Sequence, residues 1–113
     1  MTETHAPEPV ALTEVAAQLI ADLPRHTTGR AARTVLSGPL MRAVVIAMAD
    51  GTEMAEHEAP KAATLYCIAG QVTLRSGGEE WPLAAGQLVP IPQARHAVEA
   101  HADSALLLTV ALG

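Results

Sequence analysis

The stretch Gly51-Thr52-Glu53-Met54-Ala55-Glu56-His57-Glu58-Ala59-Pro60-Lys61-Ala62-Ala63-Thr64-Leu65-Tyr66-Cys67-Ile68-Ala69-Gly70 sets how the chain folds. Its second half, Thr64–Ala69, is a short apolar run that stops at a glycine; Gln71–Arg75 follows at once and ends in the turn Ser76-Gly77-Gly78. Short runs with β-branched and aromatic members, broken by glycine, predict strands rather than a helix. The same punctuation extends outward. Thr34–Leu36 and Leu40–Met48 lie upstream; Glu79–Leu83, Gln87–Ile91, Ala97–Ala100 and Ser104–Ala111 lie downstream, parted by Ser37-Gly38-Pro39, Asp50-Gly51, Ala85-Gly86 and Pro92-Gln93. Strands so close together predict an antiparallel sandwich or barrel. A parallel sheet would need crossover helices, for which the chain has no room.

Before Gly29 the period is different. Val15, Ala16, Leu19, Ile20 and Leu23 recur at three- and four-residue spacing, which predicts one amphipathic helix with Thr13 as its N-cap and Pro24 as its stop. The polar face of this helix is not basic, so a lid over the core is expected rather than a membrane-surface helix. Residues 1–10, with two prolines, read as a flexible tail, residues 11–30 as the helix and its connection, and residues 31–113 as a single barrel domain.

Composition excludes several classes. The chain has 113 residues, enough for one domain, and a net charge of -5 without a dense basic cluster, so the electrostatic footprint of a nucleic-acid binder is missing. No apolar run approaches the roughly 20 residues that span a bilayer, and the acidic, proline-bearing start does not resemble a secretory signal; no membrane partner and a cytoplasmic location are expected. The single Cys67 cannot close an internal disulfide and is read as a small buried hydrophobe. There is no Phe, and 23 residues are Ala against 26 Val, Ile and Leu together. A core built so largely of methyl groups is thin, because apolar burial is worth only about 25 cal/mol per Å². A subunit interface would add burial, so a homodimer is expected.

The opening stretch also resembles the first motif of the cupin superfamily, which runs Gly, five residues, His, one residue, His, three or four residues, Glu, six residues, Gly. Trp81-Pro82-Leu83-Ala84-Ala85-Gly86-Gln87-Leu88-Val89-Pro90-Ile91-Pro92-Gln93-Ala94-Arg95-His96-Ala97-Val98 is similar to the second motif, with its Gly, its Pro-containing turn and its His. The resemblance implies a mainly β protein, a small antiparallel jelly-roll barrel preceded by one N-terminal α-helix, with its site inside the barrel. It also implies where a divalent metal would sit, since in metal-binding cupins the two His and the Glu of the first motif converge with the His of the second. Carried over, His57 matches the first His and His96 the last, whereas Ala59 and Ala63 stand at the second His and the Glu.

Two ligands of four are therefore replaced by methyl groups. Two imidazoles make a weak site beside the three or four ligands usual for zinc, and the oxygen donor of a non-haem iron triad is missing. No tightly bound cofactor is expected, although zinc, iron, manganese or nickel held by His57 and His96 with Glu58 or water stays open. Strand alternation puts His57, Ala59, Ala63, Leu65, His96 and Val98 on the inward face, with Met48 nearby, as the lining of a ligand pocket. Cys67 shares that face but lies four residues beyond Ala63, roughly 13 Å along a strand, too far to share a metal with it. Glu99, His101 and Tyr66 fall on the opposite face, Trp81 packs on the sheet, and Glu53 and Glu56 are assigned to a solvated loop. Arg42, amid apolar strand residues, requires either the barrel mouth or an ion pair. The expected function is a binding or sensing module for a small molecule held in an apolar pocket with two histidines. The alternatives are a metal-dependent cupin enzyme of dioxygenase or isomerase type, and a dimeric scaffold for protein interaction.

Overall fold

The computed structural model describes residues 7–57 and 61–112, with positions 56 and 57 as backbone alone. Among the described residues, nine strands form two antiparallel sheets after a single α-helix. The strands are β1 (Arg30–Ser37), β2 (Met41–Met48), β3 (Glu53–His57), β4 (Ala63–Ala69), β5 (Gln71–Ser76), β6 (Glu79–Ala84), β7 (Leu88–Pro90), β8 (His96–Ala100) and β9 (Ser104–Ala111). The first sheet has the order β1-β2-β9-β4-β7 and the second β3-β8-β5-β6. Consecutive strands thus repeatedly switch sheets, which is how a jelly roll closes two sheets over one core.

That core is made by strand alternation. Met48, Leu65, Cys67 and Leu106 from the first sheet meet Val72, Leu74, Val98 and Ala100 from the second, every one of them buried. The opposite face of the first sheet carries Ala31, Val45, Ala47, Ile68 and Leu107, and here α1 (Leu12–Asp22) packs through Ala16 and Leu19, with Leu23 just beyond its end. The helix is therefore a cover for the outside of the barrel.

The helix start differs from the sequence expectation. Thr13 lies inside α1; Ala11 is at the N-cap and offers no side-chain hydrogen bond. Leu12 joins the apolar cluster under the helix, and this packing outweighs a cap in fixing where a short helix begins. Pro24 ends α1 as expected, after which Leu23–Arg25 form one 3-10 turn. Of the expected tail, residues 1–6 lie outside the described residues, and residues 7–10 are exposed and irregular.

β3 is the strand that the apolar pattern misses. With Met54 as its one large apolar residue, Glu53–His57 has the composition of a solvated loop, yet it pairs along the free side of β8. The correction has an electrostatic reason. Glu53 accepts a hydrogen bond from Arg75 Nη2 at 2.9 Å, and Glu99 accepts one from Arg75 Nη1, so one guanidinium on β5 bridges the carboxylates of β3 and β8 on the outer face and offsets their mutual repulsion. At the far end of the barrel the β4–β5 turn uses Gly70 at φ +83°, where a Cβ would stand 2.7 Å from the Asp103 carbonyl oxygen. Only glycine fits that approach.

Candidate functional site

The jelly-roll order brings four strand ends together at one mouth of the barrel: the end of β3, the start of β8, the start of β4 and the start of β2. The decisive detail is a bulge. Met54 pairs with Val98, but the next pair is His57 with His96, so β3 spends three residues where β8 spends two. A bulge adds one residue to one strand and shifts everything after it by one position. Without it Glu56 would stand opposite His96; with it, His57 does. Directly opposed residues on antiparallel strands lie about 4.5–5.5 Å apart at Cα, so the two motif histidines, 39 positions apart in sequence, become neighbours in register.

His96 is 2% exposed. Its Nδ1 lies 3.1 Å from the Ala94 carbonyl oxygen, which can only accept, so this contact places a proton on Nδ1. The loop before it is pinned by Ser76 Oγ donating to the Arg95 carbonyl at 2.8 Å. Across the mouth, Ala63 is half-buried on the inner face, and its carbonyl accepts from Ile91 N–H at 2.9 Å. The inner-face side chain at this strand start is therefore a methyl group.

Behind these residues Leu65, Val98 and Met48 are at most 2% exposed and pack within one cluster as solid core. Half-buried Ile46, Met54, Val89 and Leu108 surround that cluster. Cys67 is fully buried and turned away from the histidine end: its thiol contacts the Ala69 carbonyl at 3.4 Å. Burial pushes its pKa above the usual 9.0, with a weaker opposing effect from the backbone hydrogen bond at Ala69. Ala59 and Glu58 lie outside the described residues. Among the described residues no group of three or more His, Cys, Asp or Glu is placed to hold a metal ion.

The outer-face assignments of the sequence are met. Glu99 pairs with Arg75, His101 Nε2 sits 2.7 Å from Thr73 Oγ1, and Tyr66 stands opposite Leu107 on the side of α1. Arg42, for which the sequence leaves two environments open, is exposed at the barrel mouth. The Arg75 cluster escapes sequence reading because Glu53, Arg75 and Glu99 are each more than 20 positions from the next; only the outward parity of Arg75 and Glu99 hints at it.

The sequence pattern of the AraC-like ligand binding domain matches residues 39–109. No curated protein matches the sequence. Among solved structures, a conserved Streptococcus pyogenes protein of unknown function superposes with a TM-score of 0.74 at 19% identity, covering 99% of this chain and 93% of that one. An RmlC-like cupin protein from Desulfovibrio desulfuricans gives a TM-score of 0.68 at 17% identity, covering 98% and 96%. A salicylate 1,2-dioxygenase from Pseudaminobacter salicylatoxidans gives 0.73 at 16% identity over 85% of this chain, which spans 32% of that enzyme. No helix of the described residues is long and apolar enough to cross a membrane.

Proposed function

The chain belongs to the AraC-like ligand-binding domain family and carries a cupin barrel, and from that premise we propose that it is a small-molecule binding or sensing module that works without a tightly held metal. The observation that carries the proposal is the register at the mouth, where a bulge sets His57 opposite His96 at the edge of an otherwise apolar interior. Apolar walls with a few polar groups are the usual make-up of a small-ligand site. In this proposal His57 and His96 orient the ligand by hydrogen bonds. Ala59 and Ala63 leave it the space that metal ligands would fill, and Leu65, Val98 and Met48 form the rigid ground behind. Residues 31–113 are the binding domain, residues 11–30 its cover and connection, and residues 1–10 a tail.

The test is a thermal-shift screen of small metabolites, followed by calorimetry of the hits on the wild type, His57→Ala, and His57→Ala with His96→Ala. Hits whose affinity falls at least tenfold in both variants, while both still melt cooperatively, support the proposal. Hits unaffected by either substitution would sink it. Metal content of untagged protein is measured in parallel: near-stoichiometric zinc, iron, manganese or nickel would overturn the metal-free claim and favour the enzyme alternative.

We also infer that the chain pairs with a second copy of itself. Leu36, Met41 and Leu88 are 43–60% exposed on the outer face of the first sheet, and Met41 also lines an apolar groove of about 360 Å³ together with Thr64, Pro90, Thr109 and Ala111. None of these residues is charged, and in a chain of net charge -5 an uncharged face is where two copies meet without mutual repulsion.

A further inference from the structure

Arg42 is the single charged residue in β2, β4 and β9, the three central strands of the first sheet. Its position follows from an unbroken register: Met48 pairs with Ser104, Ile46 with Leu106, Val44 with Leu108 and Arg42 with Val110. Ile46, Met48, Leu106 and Leu108 pack in or against the core between the sheets, so Arg42 stands on that same inner side, one step beyond Val44, where the barrel opens. β2 runs from this mouth toward the far end and β3 runs back to it, which puts the start of β2 at the same end as His57 and His96. The surroundings of Arg42 on the inner face are apolar. Val44, Leu108, Val110 and Ala63 are half-buried and carry no hydrogen-bonding side chain.

The other cations at this end, Lys61 and Arg95, lie on connecting segments rather than on the inner face of a strand. Among the described side chains, the carboxylate at this end is that of Glu79 at the start of β6. Among the described residues no carboxylate forms an ion pair with Arg42. A guanidinium presents its N–H groups as a planar fork that matches a carboxylate with two parallel hydrogen bonds, and its methylene stem lies readily along apolar surface.

Building on the ligand-binding proposal, we infer that the ligand is an apolar monocarboxylate whose carboxylate is held by Arg42 while its hydrocarbon body lies on Val44, Leu108 and Ala63, inward toward the histidines. Calorimetry with benzoate and hexanoate against benzamide and hexan-1-ol tests this on the wild type, Arg42→Gln, Arg42→Lys and, as a control at the exposed helix end, Arg25→Gln. The wild type and Arg25→Gln are expected to prefer the acids at least tenfold, Arg42→Lys to keep part of that preference, and Arg42→Gln to lose it while binding the neutral compounds as before. Equal binding of acids and neutral compounds by the wild type overturns the role of Arg42 and leaves a ligand-binding barrel standing. A preference for acids that survives Arg42→Gln but disappears with EDTA places the carboxylate on a metal and also overturns it. Failure of acids and neutral compounds alike to bind overturns the apolar-monocarboxylate inference, while the metabolite screen decides the ligand-binding proposal by itself.

Discussion

Cys67 shows how one buried atom sets a measurable property of the whole chain. Its thiol is sealed inside the core, and burial raises its pKa above 9.0. Below pH 9 the thiol is protonated in the folded and unfolded states and contributes nothing to pH dependence. Above pH 9 the unfolded chain releases the proton and the folded chain does not, so the unfolded state binds fewer protons and stability falls as pH rises, by up to about 1.4 kcal/mol per pH unit. Urea midpoints of the wild type and Cys67→Ala at pH 8, 9 and 10 should diverge in slope, the wild type losing more; parallel slopes would contradict the assignment. The same sealing predicts that thiol reagents label Cys67 only on unfolding. Ala63 is the opposite case: the resemblance to the first cupin motif singles it out in the sequence, and the structure sets it half-buried on the inner face.

Among the elements, α1 and β3 carry the clearest consequences. The helix is held by Ala16, Leu19 and the following Leu23 against Ala31, Val45 and Ala47, with Leu12, Val15 and Ile20 packed beside them. Leu19 is the one large buried side chain of α1, so Leu19→Ala should cost about 2–4 kcal/mol by lost burial plus the cavity left. Chemical denaturation measures this, and a cost under about 1 kcal/mol would mean that the helix is dispensable to the barrel. β3 is stabilised differently. Its sequence lacks the alternation of a half-buried strand, and its place is set by β8 on one side and by the Arg75 ion pairs across the sheet. Its bulge then decides which residue reaches His96. Local pattern cannot reveal this, because a bulge is a property of two paired strands and not of either alone.

For the whole molecule, the thin alanine-rich core, the net charge of -5 and the uncharged stripe across the first sheet bear on one expectation. If two copies meet there, light scattering should give twice the chain mass, and Met41→Glu or Leu88→Glu should halve it by setting like charges against each other across the two-fold axis, with the helix signal unchanged. A wild-type protein of single mass at high concentration would refute the dimer. A bare Leu88 at 60% exposure is costly in an isolated monomer only through the patch to which it belongs.

Spacing along the chain accounts for much of this protein. The strand-forming runs and their turns, the helix face and the two cupin motifs are local or nearly local features, each written in about 20 consecutive residues or fewer. Pairing across the sheets accounts for the rest: the bulge that sets His57 rather than Glu56 against His96, the ion pairs that make a strand of Glu53–His57, and the place of Arg42 at the mouth. The physical reason is common to all three. A charged residue in a strand gains its environment from partners tens of positions away, and hydrophobic periodicity, which records only burial, has no means of naming them.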